Sequence, residues 1–343
     1  MKTKLFSVLG TAVVILASSA FTTVSAQNTF TNKRELVLSV LDQSKPNEYV
    51  PAAFFLHFDD KLGAKAVQDH ANYIRSINSD LVKIQYEVVV PSIEIKSPED
   101  WKNVPVYEAD FFEPQLAVIE DLAKEFKGEI LVLPTVYSPL MLLFQTAGKD
   151  AVSVIRKDPE AAVQAIANLT QSVINYIDAA RKRGADGFYV STQAYIDSED
   201  AKAAEKFSKL IRPYDKSVSE YADSIAPFNI LHICGYTGNY NDVASYADYP
   251  GSVINLPTYV GDGSESLKHF YEVFSRPIFG GLNRLGAITN GTLDEAKAEV
   301  DKVLESAPQN FILGANCTVP SETDYDHLRA IIDYAHSWRK THK

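Results

Sequence analysis

The stretch from Asp158 to Ser191, DPEAAVQAIANLTQSVINYIDAARKRGADGFYVS, decides the fold. Asp158, Pro159 and Glu160 supply a helix N-cap, a first-turn proline and a first-turn acid. Behind them Val163, Ile166, Thr170, Val173, Ile177 and Ala180 recur at steps of three and four, which lays one apolar stripe along a helix. Gly184 closes that helix. Gly187–Ser191 then reads as a short strand rich in aromatic and β-branched residues. A helix running straight into a strand of this kind is half of a βα unit around a parallel sheet.

The same alternation repeats in both directions. Strand-like runs lie at Ala52–Phe58, Leu81–Tyr86, Ile130–Thr135, Gly187–Ser191, Asn229–Ile233, Ser252–Leu256, Pro277–Gly281 and Phe311–Gly314, eight in all. Capping-box patterns at Thr292–Glu295 and Ser321–Asp324 open the last two helices. The expected fold is therefore α/β, a (β/α)8 TIM barrel built as a single domain, for which a length of 343 residues is ample. The long aromatic stretch from Pro91 to Pro114, which includes Trp101, is expected as an excursion over the barrel mouth.

With 46% hydrophobic and 22% charged residues the chain can bury an ordinary core. A net charge of −11 with no Lys/Arg-rich stretch argues against nucleic acid or anionic lipid as partners. Residues 1–26 read as a signal peptide: Lys2 and Lys4, an uncharged run from Leu5 to about Ala20, and Val24-Ser25-Ala26 as a cleavage site before Gln27. The barrel then occupies residues 27–343 and the protein is exported, periplasmic or extracellular. The alternative, an uncleaved anchor, also puts the folded part outside the cytoplasm. No second membrane-length apolar run follows.

Active sites of such barrels sit at the carboxyl ends of the strands. There the sequence places His57, Glu87, Tyr137, Gln193, Asn283 and Arg284 as candidates to line a substrate pocket, and the His232-Ile233-Cys234 triplet with Cys317 as the chemical core. Alternation puts His232 and Cys234 on one face of their strand. Imidazole and two thiols suit Zn²⁺ with one position left open for a ligand. A Cys234–Cys317 disulfide and two free thiols are the other readings of the same pair.

Taken in order, Phe54–Phe58, Asp80–Ile84, Gly184–Gly187 with Ser191–Gln193, Arg212–Asp215, Leu231–Gly235, Gly280–Leu282 and Ile312–Pro320 resemble the uroporphyrinogen decarboxylase superfamily over Pro51 to Ala335. Within it, His232-x-Cys234 with a late Cys317 is similar to the zinc-dependent branch that moves a methyl group from a methylated corrinoid to a thiol such as coenzyme M. That resemblance implies zinc on His232, Cys234 and Cys317, a thiol and a corrinoid or other tetrapyrrole as small-molecule partners, and enzymatic methyl transfer. Porphyrinogen decarboxylases proper carry an arginine-rich motif at the start of the barrel; Asn47–His57 contains no arginine. A tetrapyrrole with eight carboxylates needs bidentate basic partners. Decarboxylation and non-catalytic tetrapyrrole binding are thus the alternative functions.

Overall fold

The computed structural model describes residues 32–44, 48–148, 158–192, 202, 205, 209–210, 212–234, 243–261, 263 and 266–342. Seven strands form one parallel sheet in chain order: β1 (Leu81–Ile84), β2 (Leu131–Tyr137), β3 (Gly187–Thr192), β4 (Phe228–Ile233), β5 (Val253–Tyr259), β6 (Ile278–Leu282) and β7 (Phe311–Ala315). Parallel neighbours need crossover connections. The described α-helices are α1 (Lys33–Ser39), α2 (Gly63–Ser76), α3 (Glu113–Glu125), α4 (Pro139–Ala147), α5 (Pro159–Lys182), α6 (Arg212–Ile225), α7 (Leu267–Phe274), α8 (Ala287–Asn290), α9 (Leu293–Ser306) and α10 (Tyr325–Thr341). The sheet curls into a TIM-like barrel.

One expected strand is not a strand. The run at residues 52–58 makes a single parallel bridge, Ala52 to Leu313. Pro51 has no N–H to give, and the Ala52 N–H donates 2.8 Å to the Asp80 carboxylate instead of to a neighbouring strand. The segment still fills the eighth position. Ala53 N donates to Leu313 O and Leu313 N to Pro51 O, while Asp80 N, just before β1, donates to Ala52 O. Gly314 permits this closure, because a β-carbon there would lie 2.2 Å from the Phe279 ring and 2.8 Å from Ala53 O.

Alternation along the strands sorts the apolar residues into two bodies. Leu81, Leu131, Leu133, Tyr189, Phe228, Ile230, Val253, Phe279 and Ile312 fill the barrel interior, and Val37 and Val40, from α1 and its C-cap, plug its amino end. Val82, Val132, Phe188, Val190, Leu231 and Ile254 face outward and pack with helix residues such as Ile166, Ile177, Val300 and Ile331. Each such side chain removed from water contributes about 1.5–3 kcal/mol. Towards the carboxyl ends the interior turns polar, with Lys83, Thr135, Ser191, His232 and Asn255 all buried.

Two local expectations change. Trp101 is buried, and its segment lies along the flank of α5: Asn168 donates to Val104 O, Tyr107 N to the Ser172 hydroxyl. The aromatic side chains find cover against a helix there, where the sequence reading placed them over the mouth. The final helix is capped by Asp324, whose carboxylate accepts from Asp326 N and His327 N; Ser321 donates its hydroxyl to His57 O instead. The Asp158 cap and the Thr292/Glu295 capping box form as expected. Among the described residues no helix is long and apolar enough to cross a membrane. Residues 1–26, read above as a signal peptide, lie outside the described residues.

Candidate metal centre

His232 is the penultimate residue of β4 and points into the barrel, 3% exposed. Its imidazole stacks on Tyr189 of β3 at 5.0 Å between ring centres. Tyr189 is itself tied: its hydroxyl donates 2.7 Å to Asn255, whose amide donates to Phe279 O and Ala315 O. A chain of hydrogen bonds across four strands thus sets the plane of the imidazole.

Cys234 follows directly after β4, and its N–H extends the ladder to Thr192 O. Thr192 in turn donates 2.6 Å to the buried Asp215 carboxylate, which also accepts from Tyr249. Burial pushes the Asp215 carboxyl above its ordinary range, against those hydrogen bonds. Cys317 lies two residues past β7. Asn316 holds that corner, donating to Leu282 O and Pro257 O and accepting from Arg284 N.

These elements bring His232 Nε2 to 3.8 Å from Cys317 Sγ, and the ligand atoms of His232, Cys234 and Cys317 all fall within 4.8 Å of one another. The two cysteines form no disulfide in this arrangement. The Cys317 thiol is lowered to about 3: a hydrogen bond from Cys234 acts most strongly, burial opposes it, and His232 adds to the lowering. Tetrahedral zinc with bonds of about 2.3 Å to sulfur and about 2.0 Å to nitrogen sets its ligands about 3.5–3.8 Å apart. The donor set fits one metal ion, the His232–Cys317 pair stands near that spacing, and the 4.8 Å limit of the whole set leaves the three to close by up to about 1 Å on an ion. With Nε2 facing the thiols, the proton belongs on Nδ1, which is buried without a hydrogen-bond partner among the described residues.

Beside the cluster lies a residue the sequence reading did not single out. Lys83 of β1 is 6% exposed; its ammonium donates 2.6 Å to Gln85 and sits 4.8 Å and 5.5 Å from the Tyr189 and Phe55 ring centres. Burial lowers it to about 8, while the fields of Cys317, Cys234 and Glu87 pull the other way. Its signal was the alternation in Leu81-Val82-Lys83, which puts Lys83 on the interior face with Leu81. Tyr189 and Asn255 were legible in the same way, as polar groups on interior positions of their strands.

The proposed lining residues fall into three groups. His57 and Glu87 meet at the rim: His57 Nδ1 lies 3.3 Å from Glu87, and Lys61 lies 3.3 Å from its other oxygen. Burial would raise the Glu87 carboxyl, but His57 and Lys61 together hold it below its ordinary value. Tyr137, at the end of β2, packs on Tyr86; burial, then the field of Cys234, raises its hydroxyl. Asn283 and Arg284 are engaged in loop structure, Asn283 accepting from Leu285 N and Arg284 donating to Thr318 O. Gln193 lies outside the described residues.

The class is thus a parallel α/β barrel in which an imidazole and two thiols converge at the carboxyl end, a donor set that could hold a metal ion. The family description for uroporphyrinogen decarboxylase (URO-D) matches residues 81–338, and the chain belongs to that family. It is 24% identical over 255 residues to the methylcobamide:CoM methyltransferase MtbA of Methanosarcina mazei, covering 71% of this chain and 70% of that protein. Among solved structures a methyltransferase from Methanosarcina mazei superposes with a TM-score of 0.73 at 16% identity, over 90% of this chain and 99% of that one. A B12-independent methionine synthase from Shewanella sp. W3-18-1 gives 0.54 at 12% identity, over 87% and 95%. The chain thus resembles the methyltransferase-like branch of its family.

Proposed function

We propose that the protein is a zinc-dependent enzyme that transfers a methyl group from a corrinoid-like donor to a small thiol. The observation that carries this reading is the convergence of His232, Cys234 and Cys317 to within 4.8 Å at the barrel mouth. Zinc held by these three would supply Lewis acidity that keeps an incoming thiol deprotonated near neutral pH. The chain's own residues do the rest. Tyr189 and Asn255 fix the imidazole, and the Asn316 corner fixes Cys317. The Phe55 and Phe279 rings beneath are 6% and 1% exposed, so water is kept out of the floor of the site. At the rim His57, Glu87 and Lys61 offer paired donors and acceptors for the polar edge of a substrate. In the transfer the thiolate sulfur forms the bond to the methyl carbon as the donor's bond to it breaks, the electron pair staying with the donor.

Residues 1–26 act as an export signal in this reading, leaving residues 27–343 as the barrel, with a donor encountered outside the cytoplasm. Elemental analysis and free-thiol titration of the protein purified without chelator test the metal. Near-stoichiometric zinc that disappears in Cys317→Ser supports the reading; two oxidised thiols and no metal sink it. An amino terminus at Gln27 in the exported fraction checks the signal.

A further inference from the structure

Lys83 is a cation in an unusual position. It is 6% exposed, and among the described residues no carboxylate forms a salt bridge with it. Among those residues its hydrogen bond goes to the neutral Gln85, and its ammonium lies over the faces of Tyr189 and Phe55. Glu87, the carboxylate whose field reaches it, is already bonded to His57 and Lys61. Lys83 and His232 both pack on the Tyr189 ring, which puts the ammonium in the same buried interior as the cluster. Burying an ammonium without an anionic partner is costly, so its counter-charge is to be sought in what the site binds.

Charge counting identifies that partner. A divalent ion held by two thiolates and a neutral imidazole carries no net charge, so a centre with only these three ligands gives Lys83 no counter-charge. An anionic fourth ligand takes the cluster from zero to minus one, and Lys83 then neutralises it. We propose that Lys83 is the counter-ion for an anionic fourth ligand at the His232, Cys234, Cys317 centre, so that the site selects thiolates and comparable anions over neutral ligands. This rests on the metal reading above and adds the substrate's charge to it. Lys83 acts as a specificity-determining residue with no bond to the metal.

The test uses the full exported protein loaded with Co²⁺, whose visible bands report coordination. Co²⁺ affinity is measured first, then titrations with 2-mercaptoethanol, which binds as a thiolate, and with imidazole, which binds neutral, for wild type, Lys83→Met, Lys83→Gln and Lys83→Arg. At an effective dielectric of about 20, one charge about 12 Å away changes an ionic affinity about tenfold, and a nearer one changes it more. Both neutral variants are expected to bind 2-mercaptoethanol about tenfold more weakly, with Co²⁺ and imidazole affinities changed less than about threefold, and Lys83→Arg to stay near wild type. Equal weakening of thiol and imidazole in folded variants, or none, overturns the role of Lys83 while leaving the metal centre standing. A wild-type protein that takes up no Co²⁺ overturns both readings together.

Discussion

The two ends of the barrel are built on opposite terms. At the amino end α1 plugs the interior, and Asp80, fully buried, is met by Lys33 at 3.3 Å, His336 at 2.8 Å and the Ala52 N–H at 2.8 Å. Arg34 pairs with Asp186, whose second oxygen accepts from Val132 N, and Asn310 donates to Val40 O and Asp42 O. At the carboxyl end more buried polar atoms stand without hydrogen-bond partners among the described residues, His232 Nδ1, Thr135 Oγ1, Thr258 Oγ1 and Asp215 Oδ1 among them, while Asp80 Oδ1 of the amino end, also without one, faces the Lys33 ammonium. An unmade buried hydrogen bond costs about 1–3 kcal/mol. The amino end spends its polar groups on holding the barrel together, whereas the carboxyl end keeps several in reserve beside the cluster.

Mutations should separate these ends. The largest stability effect is expected from Asp80→Ala, which takes the acceptor from His336 and the Ala52 N–H and the ion pair from Lys33; breaking a buried ion pair costs about 3–5 kcal/mol. Urea denaturation should show that loss while the thiol reactivity of the native protein is unchanged. A cost below about 1 kcal/mol would mean the amino end is not the anchor described. Cys317→Ser should invert the pattern, with stability within about 1 kcal/mol of wild type but zinc affinity reduced at least about a hundredfold. Competition against a chromophoric chelator reads the second number. Tyr189→Phe is expected to be milder, at about 1–3 kcal/mol, since it removes the donor to Asn255 and keeps the ring stacked on His232.

The smallest expected effect concerns pH. Asp215 has a higher pKa folded than its ordinary value of 3.8, so its contribution to stability is complete below that value and is lost as pH rises through the folded value. Glu87, held below its ordinary 4.5, works in reverse: its contribution is present above 4.5 and is lost as pH falls through the folded value. Asp215→Asn should therefore gain stability relative to wild type as pH rises from about 4 towards neutrality. Melting curves across that window that run parallel for the two proteins would remove Asp215 as a strained carboxyl.

Much of this architecture was legible because it rests on periodicity. Seven of the eight strand-like runs became strands, and the Asp158 and Thr292 caps formed where their residues stood. The run at 52–58 escaped because the Ala52 N–H goes to a side chain, Asp80, 28 positions away, which no local signal announces. The cluster was readable since alternation alone aims His232 and Cys234 the same way, and the last strand delivers Cys317 to them. Asn283 and Arg284 show the limit of the method. Standing at a strand end does not tell a loop-holding group from a ligand-holding one, because both are polar and both point towards the mouth. Lys83 shows the opposite error, since a lysine within a strand reads as a solvent-facing residue unless the parity of its neighbours is followed.

The single bridge beside Gly314 gives the centre an uneven mounting. β4 is laddered on both edges, to β3 through six register pairs and to β5 through three, so His232 and Cys234 ride on a strand clamped from both sides. β7 is laddered to β6 on one edge and meets the 51–56 segment on the other through little more than the bonds between Ala53, Leu313 and Pro51. The barrel has a seam, and Cys317 is the donor mounted next to it. Breathing of that seam is expected to load the Cys317 corner, which Asn316 ties to Leu282 and Pro257, more than the two donors carried by β4, giving the centre a firmer side and a softer one. Amide exchange faster at Ala53 and Leu313 than at Leu231 and Ile233 would register that motion.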